Sequence, residues 1–264
     1  MLLVDLDCAP PASNTATMTN AVRLLAAAVA LFAVTSIASA QVVDRTIPLD
    51  GATALQLSVS GSVHVVAVDG ARSVAFHVID SGPSTPPLDV RVSHAGKHLD
   101  VSVTGPSQSV LPFTGASGYE LRVTYPANLK LNLREFSGGV HVDRVSAPMQ
   151  IYDAQGNIVV DAAPSELTAQ ADAGDITVTG ARSRIMLSAI DGNVDAKLAP
   201  GWSGRLVRLE AQSGNLRLRV PAGFSAHYDA TSGSGRVTNA MRDNPKGPLV
   251  FMLTEQGNVS ITPR

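Results

Sequence analysis

Past residue 40, apolar residues recur at every second position along most of the chain, with polar residues between them. That alternation is strand periodicity, one face turned to a core and the other to water. In the second half the strands pair around a glycine. With Gly138, Gly156, Gly174, Gly192, Gly214, Gly233 and Gly257 each taken as zero, positions minus seven and minus five hold pairs such as Leu131/Leu133, Ile185/Leu187 and Val250/Met252. Positions plus two and plus four hold Val140/Val142, Ile176/Val178 and Leu216/Leu218, and only Gly235 breaks the apolar rule. The first four glycines are eighteen residues apart, and the later intervals are twenty-two, nineteen and twenty-four. A near-constant period of this size marks stacked, similar coils, none of which can bury its apolar face alone. The pattern predicts an all-β chain. The expected architecture is a β-solenoid of parallel β-helix type, with coils of about 18–22 residues that each place two short strands around a glycine turn.

The turns carry their own signal. A sharp turn between two inward-facing strands often needs positive φ, which glycine adopts at little cost. The following residue is Gly139, Asn157, Asp175, Asn193, Asn215, Ser234 or Asn258. In a stack these positions form one column, where side-chain amides can hydrogen-bond from coil to coil.

The first half alternates too, but without a fixed period. Strands are expected over 54–59, 63–68, 74–79, 88–92, 99–103 and 119–125, with Pro83, Pro86, Pro87, Pro106 and Pro112 marking loops. The segment Ser60-Gly61-Ser62-Val63-His64-Val65 echoes Ser137-Gly138-Gly139-Val140-His141-Val142. An irregular, partly antiparallel β section over 41–125 is therefore expected to cap regular coils over 126–264, the two forming one continuous domain.

The N-terminus reads as targeting sequence. Arg23 supplies the positive charge of the leader's first region, Leu24 to Ile37 form an apolar run, and Ala38-Ser39-Ala40 is a small-residue cleavage site. Residues 18–40 are expected to be a signal peptide removed after Ala40. Residues 1–17, acidic and proline-bearing, read as upstream read-through before a start at Met18. The exported product would then be periplasmic, cell-surface or secreted, with no transmembrane segment.

Two consequences narrow the chemistry. Cys8 is the only cysteine and precedes the cleavage site, so a disulfide framework and a thiolate metal site are excluded from the exported chain. The whole chain has 20 basic and 22 acidic residues, and without Arg23, Asp5 and Asp7 it has nineteen and twenty. A near-neutral balance argues against nucleic-acid binding.

The turns Ala173-Gly174-Asp175-Ile176-Thr177-Val178 and Ser213-Gly214-Asn215-Leu216-Arg217-Leu218 resemble those of the bacterial putative-adhesin family of exported β-solenoid domains. The resemblance spans nearly all of 41–264. It implies an adhesion or envelope-interaction role and carries no catalytic residues to transfer.

Polysaccharide-active β-helices use paired carboxylates, or a carboxylate-bound cation with a base. Asp153, Asp172, Asp175, Asp191 and Asp195 are the candidates, yet Asp172, Asp175 and Asp191 sit at or beside turns, where aspartate is an ordinary turn former. No cofactor is expected, and no metal site. His94 and His98 frame what reads as the tip of a hairpin. The candidate binding residues are Trp202, on a loop that lengthens its coil by four residues, and Arg208, Arg217, Arg219 and Arg236. Arg217 and Arg236, both at plus three, are expected to stack on successive coils. The expected function is a non-enzymatic, adhesin-like envelope module whose partner is a glycan or a surface protein. A binding protein for an anionic glycan or envelope polymer is the alternative, and a glycan-active enzyme stands third.

Overall fold

The computed structural model describes residues 42–80, 89–104, 119–161 and 164–264. The leader, both proline-bearing loops of the first half and the predicted cleavage site lie outside these residues. Residues 40–264 form one compact unit. The described residues contain strands and no helix.

The strands of the first half are β1 (Val42–Pro48), β2 (Ala54–Val59), β3 (Ser62–Val68), β4 (Ser73–Asp80), β5 (Asp89–Ala95), β6 (His98–Thr104) and β7 (Tyr119–Pro126). The repeat region follows with β8 (Lys130–Glu135), β9 (Val140–Asp143), β10 (Met149–Gln155), β11 (Ile158–Asp161), β12 (Glu166–Ala173), β13 (Ile176–Ala181) and β14 (Arg184–Asp191). It closes with β15 (Val194–Leu198), β16 (Leu206–Ser213), β17 (Leu216–Val220), β18 (His227–Ser232), β19 (Val237–Asn239), β20 (Leu249–Gln256) and β21 (Val259–Pro263).

From β8 onward, consecutive strands alternate between two sheets. The first has eleven strands in the order β1-β4-β7-β3-β9-β11-β13-β15-β17-β21-β19. The second has ten, in the order β18-β20-β16-β14-β12-β10-β8-β2-β6-β5. Pairing is parallel except at β1–β4, β4–β7 and β5–β6. Parallel strands buried on an inner face need apolar residues at alternate positions, which the glycine-centred pattern supplies. Leu131, Met149, Leu167, Ile185, Val207 and Val250 are register partners in one sheet, and Val140, Ile158, Ile176, Val194, Leu216 and Val259 in the other. All twelve are buried in a single apolar core.

The coil order departs from the chain order at both ends. β2 and β3 sit between β6/β7 and β8/β9, so the segment echoed around Gly61 and Gly138 lies in adjacent coils. At the other end β18/β19 lie outermost, and β20/β21 return to fill the gap beside β16/β17. The expectation of sequential stacking is thus corrected.

A second correction concerns the turn in 232–235. Val237 pairs with Val259 and Tyr228 with Val250, which places Gly235, not Gly233, at the turn. The outermost coil has a neighbour on one side only, and Val237 is exposed, so the apolar marks that set the count are weakest there.

The glycine column is shaped by close approach more than by backbone freedom. A Cβ on Gly156 would lie 1.4 Å from the carbonyl oxygen of Gly138, and one on Gly192 would lie 2.0 Å from that of Gly174. The same clash recurs from Gly174 to Gly156, Gly214 to Gly192, Gly257 to Gly214 and Gly235 to Gly257. Gly174, Gly214 and Gly257 have φ of 144–156°, whereas Gly156 and Gly192 are not in the left-handed region. Positive φ is therefore a property of some members of the column, and absence of a side chain is required of all of them.

Beside the glycines runs a hydrogen-bonded ladder. Asn157 Oδ1 accepts from Asp175 N (2.8 Å) and Asp175 Oδ1 from Asn193 N (2.7 Å). Asn193 Oδ1 accepts from Asn215 N (2.9 Å), Asn215 Oδ1 from Asn258 N (2.9 Å), and Asn258 Oδ1 from Arg236 N (3.0 Å). Where Gly139 has no side chain to contribute, Glu135 satisfies the turn from inside, accepting from Gly61 N (3.2 Å), Ser137 N (2.6 Å) and Gly138 N (2.5 Å).

Candidate functional site

Parallel and antiparallel strands meet in the first sheet at β1, β4, β7, β3 and β9, and their outward residues carry a cluster of ionisable groups. Register places Asp44, His77, Arg122, His64 and His141 in one row across these strands. Strand geometry alone explains the row, since inward partners on either side of each residue fix its side chain outward. Val63, Val65, Val140 and Val142 are those partners for His64 and His141.

The two imidazoles stack, with centroids 4.7 Å apart and planes inclined by 18°. Asp143, two residues beyond His141 and so on the same face, reaches both rings. Its Oδ2 lies 2.8 Å from His64 Nε2 and its Oδ1 lies 3.3 Å from His141 Nε2. His64 and Asp143 are partly buried, and His141 is exposed. Among the described residues these three form the one group whose donor atoms are close enough to share a metal ion.

Next to them, Arg122 donates to Glu120 from Nε (2.8 Å) and Nη2 (3.3 Å). That bond holds the Glu120 carboxyl below its usual range, with a smaller contribution from the nearby His64 and His77. His77 bonds Asp44 on the far side of Arg122. Ser62, His64, Glu120, His141, Asn157 and Val159 line one shallow depression of about 330 Å³.

The residues singled out from the sequence lie elsewhere and are not gathered into one patch. Arg217 and Arg219 are on β17 in the first sheet, both turned to Asp195 at 3.8 and 2.7 Å. Arg208 is on β16 in the second sheet, paired with Glu210 at 2.6 Å and lying over the Phe251 ring. Arg236 occupies the ladder position next to Asn258, and Arg217 pairs in register with Asp195 and Ser260. The expected stacking of Arg217 on Arg236 is therefore corrected: the turn is counted from Gly235, and the coil of β20/β21 lies between them. Trp202 folds back against other coils, its Nε1 donating to Ser183 O (2.6 Å) and its ring meeting Phe224 edge-on at 5.4 Å.

The carboxylates considered for catalysis are also dispersed. Asp172 accepts from the Tyr152 hydroxyl (2.5 Å), Asp175 belongs to the ladder, and Asp195 holds the two arginines. Asp153 is fully buried against Glu135, its register partner. His94 and His98 flank the β5–β6 turn; His98 bonds Gln56 and His94 is exposed.

The histidine pair escaped the sequence reading although its signal was present. The echoed Gly-x-Val-His-Val segments align His64 with His141 as soon as their coils are taken as neighbours. Seventy-six intervening residues hid that adjacency.

No protein-family model and no curated protein matches the chain. Solved structures do. A putative adhesin from Bacteroides fragilis superposes with a TM-score of 0.52 at 13% identity, covering 85% of this chain and 97% of its own. A putative cell adhesion protein from Clostridium sporogenes gives 0.42 at 10% identity, over 85% and 100% of the two chains. A putative lipid binding protein from Parabacteroides distasonis gives 0.41 at 15% identity, over 85% and 97%. The chain thus shares its fold with a structure described as a putative adhesin, in agreement with the resemblance carried by its glycine turns.

Proposed function

We propose that the protein is an exported, non-enzymatic β-solenoid that works as an adhesin-like interaction module of the cell envelope. The observation that carries this reading is the register of the first sheet. One outward position repeats through all eleven strands, from Asp44, His77, Arg122, His64 and His141 through Val159, Thr177, Asp195 and Arg217 to Ser260 and Thr238. Strands about 4.8 Å apart make such a row a long, rigid, mixed-charge surface suited to docking against an extended partner. The fold shared with the B. fragilis protein supports the same role. The leader read in residues 18–40 supports export, and no helix of the described residues is long and apolar enough to cross a membrane.

The anionic-glycan alternative keeps one supporting feature, the exposed Arg217 beside a depression of about 410 Å³ lined also by Asn193, Asn215, Asn258 and Ser260. Asp195 offsets that charge, so a general interaction surface is the better reading. Fractionation of expressing cells, together with binding of the purified chain to isolated envelopes, tests the proposal. Envelope or extracellular recovery with saturable binding is expected. A cytosolic chain, or turnover of an acidic polysaccharide panel, would reverse it.

A further inference from the structure

We infer that His64, His141 and Asp143 form a binding site for a divalent transition metal, Zn²⁺ foremost, on the outer face of the first sheet. The inference is independent of the adhesin reading. Two imidazoles and one carboxylate are a donor set that borderline metals of the first row accept, with coordination positions left open.

Geometry favours one ion held by all three groups. Their donor atoms lie within 4.8 Å of one another. Asp143 sits with one oxygen toward each ring, at 2.8 Å from His64 Nε2 and 3.3 Å from His141 Nε2. In a tetrahedral zinc site with bonds of about 2.0–2.2 Å, neighbouring donors stand roughly 3.3 Å apart. Small rotations about the side-chain bonds therefore suffice to aim the three donors at one point. Both rings present Nε2 to the carboxylate, so neither has to flip.

The backbone pre-arranges the site. His64 and His141 are register partners on parallel strands, and the ring separation of 4.7 Å matches the spacing of the strands themselves. Buried valines on both sides of each histidine lock the strands, so the donors gather without an ordering step.

Charge points the same way. Asp143 is also the register partner of Asp161, and like charges facing each other across neighbouring strands repel. Glu120 lines the same depression as the two histidines. A divalent cation among these carboxylates relieves the repulsion. Because His141 is exposed, the fourth position is open to water or to a donor from whatever docks on this face.

The test uses the metal-free full chain, titrated with Zn²⁺ by calorimetry and with Co²⁺ by visible absorption. Wild type is expected to take one equivalent of either ion, with Co²⁺ giving the d–d bands of a nitrogen–oxygen site. His64→Gln, His141→Gln and Asp143→Asn should each weaken Zn²⁺ binding by at least about tenfold, as is usual when even a supporting group of a metal site is lost. His94→Gln, on the exposed hairpin tip, should leave it unchanged. Melting curves in chelator confirm that each variant is folded, and His141→Gln, at an exposed position, keeps the test valid if His64→Gln is not. No binding by folded wild type at millimolar Zn²⁺, or equal binding by the His64→Gln/His141→Gln double variant, would overturn the inference and leave a histidine–aspartate hydrogen-bond cluster.

Discussion

Asp153 and Glu135 face each other on neighbouring parallel strands, and neither exposes any surface to solvent. Burial pushes the Asp153 carboxyl up to about 8 from an ordinary 3.8, with the Glu135 carboxylate beside it adding to the effect. At neutral pH Asp153 thus keeps a proton, while Glu135 accepts the turn N–H groups of Gly61, Ser137 and Gly138.

A raised folded value makes stability fall with rising pH. The contribution is fully present below about pH 4, where the unfolded chain also holds the proton, and is lost as pH rises through about 8. The loss is at most about 1.4 kcal/mol per pH unit within that window. Asp153→Asn, which imitates the protonated acid, should flatten the dependence and be the more stable protein at pH 8.5. Urea denaturation at pH 5 and pH 8.5 checks this; parallel losses in both proteins would refute it.

Gly192 isolates the packing role of the glycine column. Its backbone is not left-handed, but a Cβ would come within 2.0 Å of Gly174 O. Gly192→Ala should destabilise by about 1–3 kcal/mol through overpacking. Gly223, with φ of 76° and nothing within 4 Å of an added Cβ, reports backbone strain alone. Chemical denaturation should rank Gly192→Ala below Gly223→Ala, since backbone strain alone is of order 1 kcal/mol.

Asn215 stands inside the ladder, giving its side-chain amide to Asn193 Oδ1 (3.0 Å) and accepting from Asn258 N (2.9 Å) and Nδ2 (3.1 Å). Asn215→Ala should cost roughly 1–3 kcal/mol, because the N–H of Asn258 loses its acceptor. Asn215→Asp should cost less, since it keeps that acceptor and gives up only the donation to Asn193. Denaturation midpoints of the two variants decide it.

Trp202 is the only tryptophan, so its fluorescence reports a single environment. Held by Ser183 O and Phe224, it should be weakly quenched by acrylamide in the folded chain and strongly quenched after unfolding. Trp202→Ala should lower stability by about 3 kcal/mol. Strong quenching in the native state would mean that the indole is free to meet a ligand.

Much of the fold was legible because burial in this architecture is written at short range. Strand boundaries over 54–79 and 99–125 agree with the alternation to within a residue or two, since each inward residue is apolar for its own local reason. β1 was missed because Val42, Val43, Asp44 and Arg45 do not alternate cleanly and the strand lies at a sheet edge. Stacking order was not legible, because neighbouring coils at the two ends are joined by long excursions that leave no mark on periodicity. The histidine site depends on that order and was hidden with it, while Trp202 and the late arginines drew notice as uncommon or clustered residues. Partners such as Asp195 and Ser183 become visible only in space.

The interleaving of the final coils has a consequence for how the chain is completed. β18 and β19 leave the ribosome before β20 and β21, yet every ladder bond they make is to those later strands. Until residues 249–264 arrive, β18/β19 lack the strands they pair with, and β16/β17 present unpaired edges. The closing segment therefore works like a key driven between two stones. Its insertion joins them, and removal of residues 249–264 is expected to release β18/β19 as a tail while leaving the earlier coils in place.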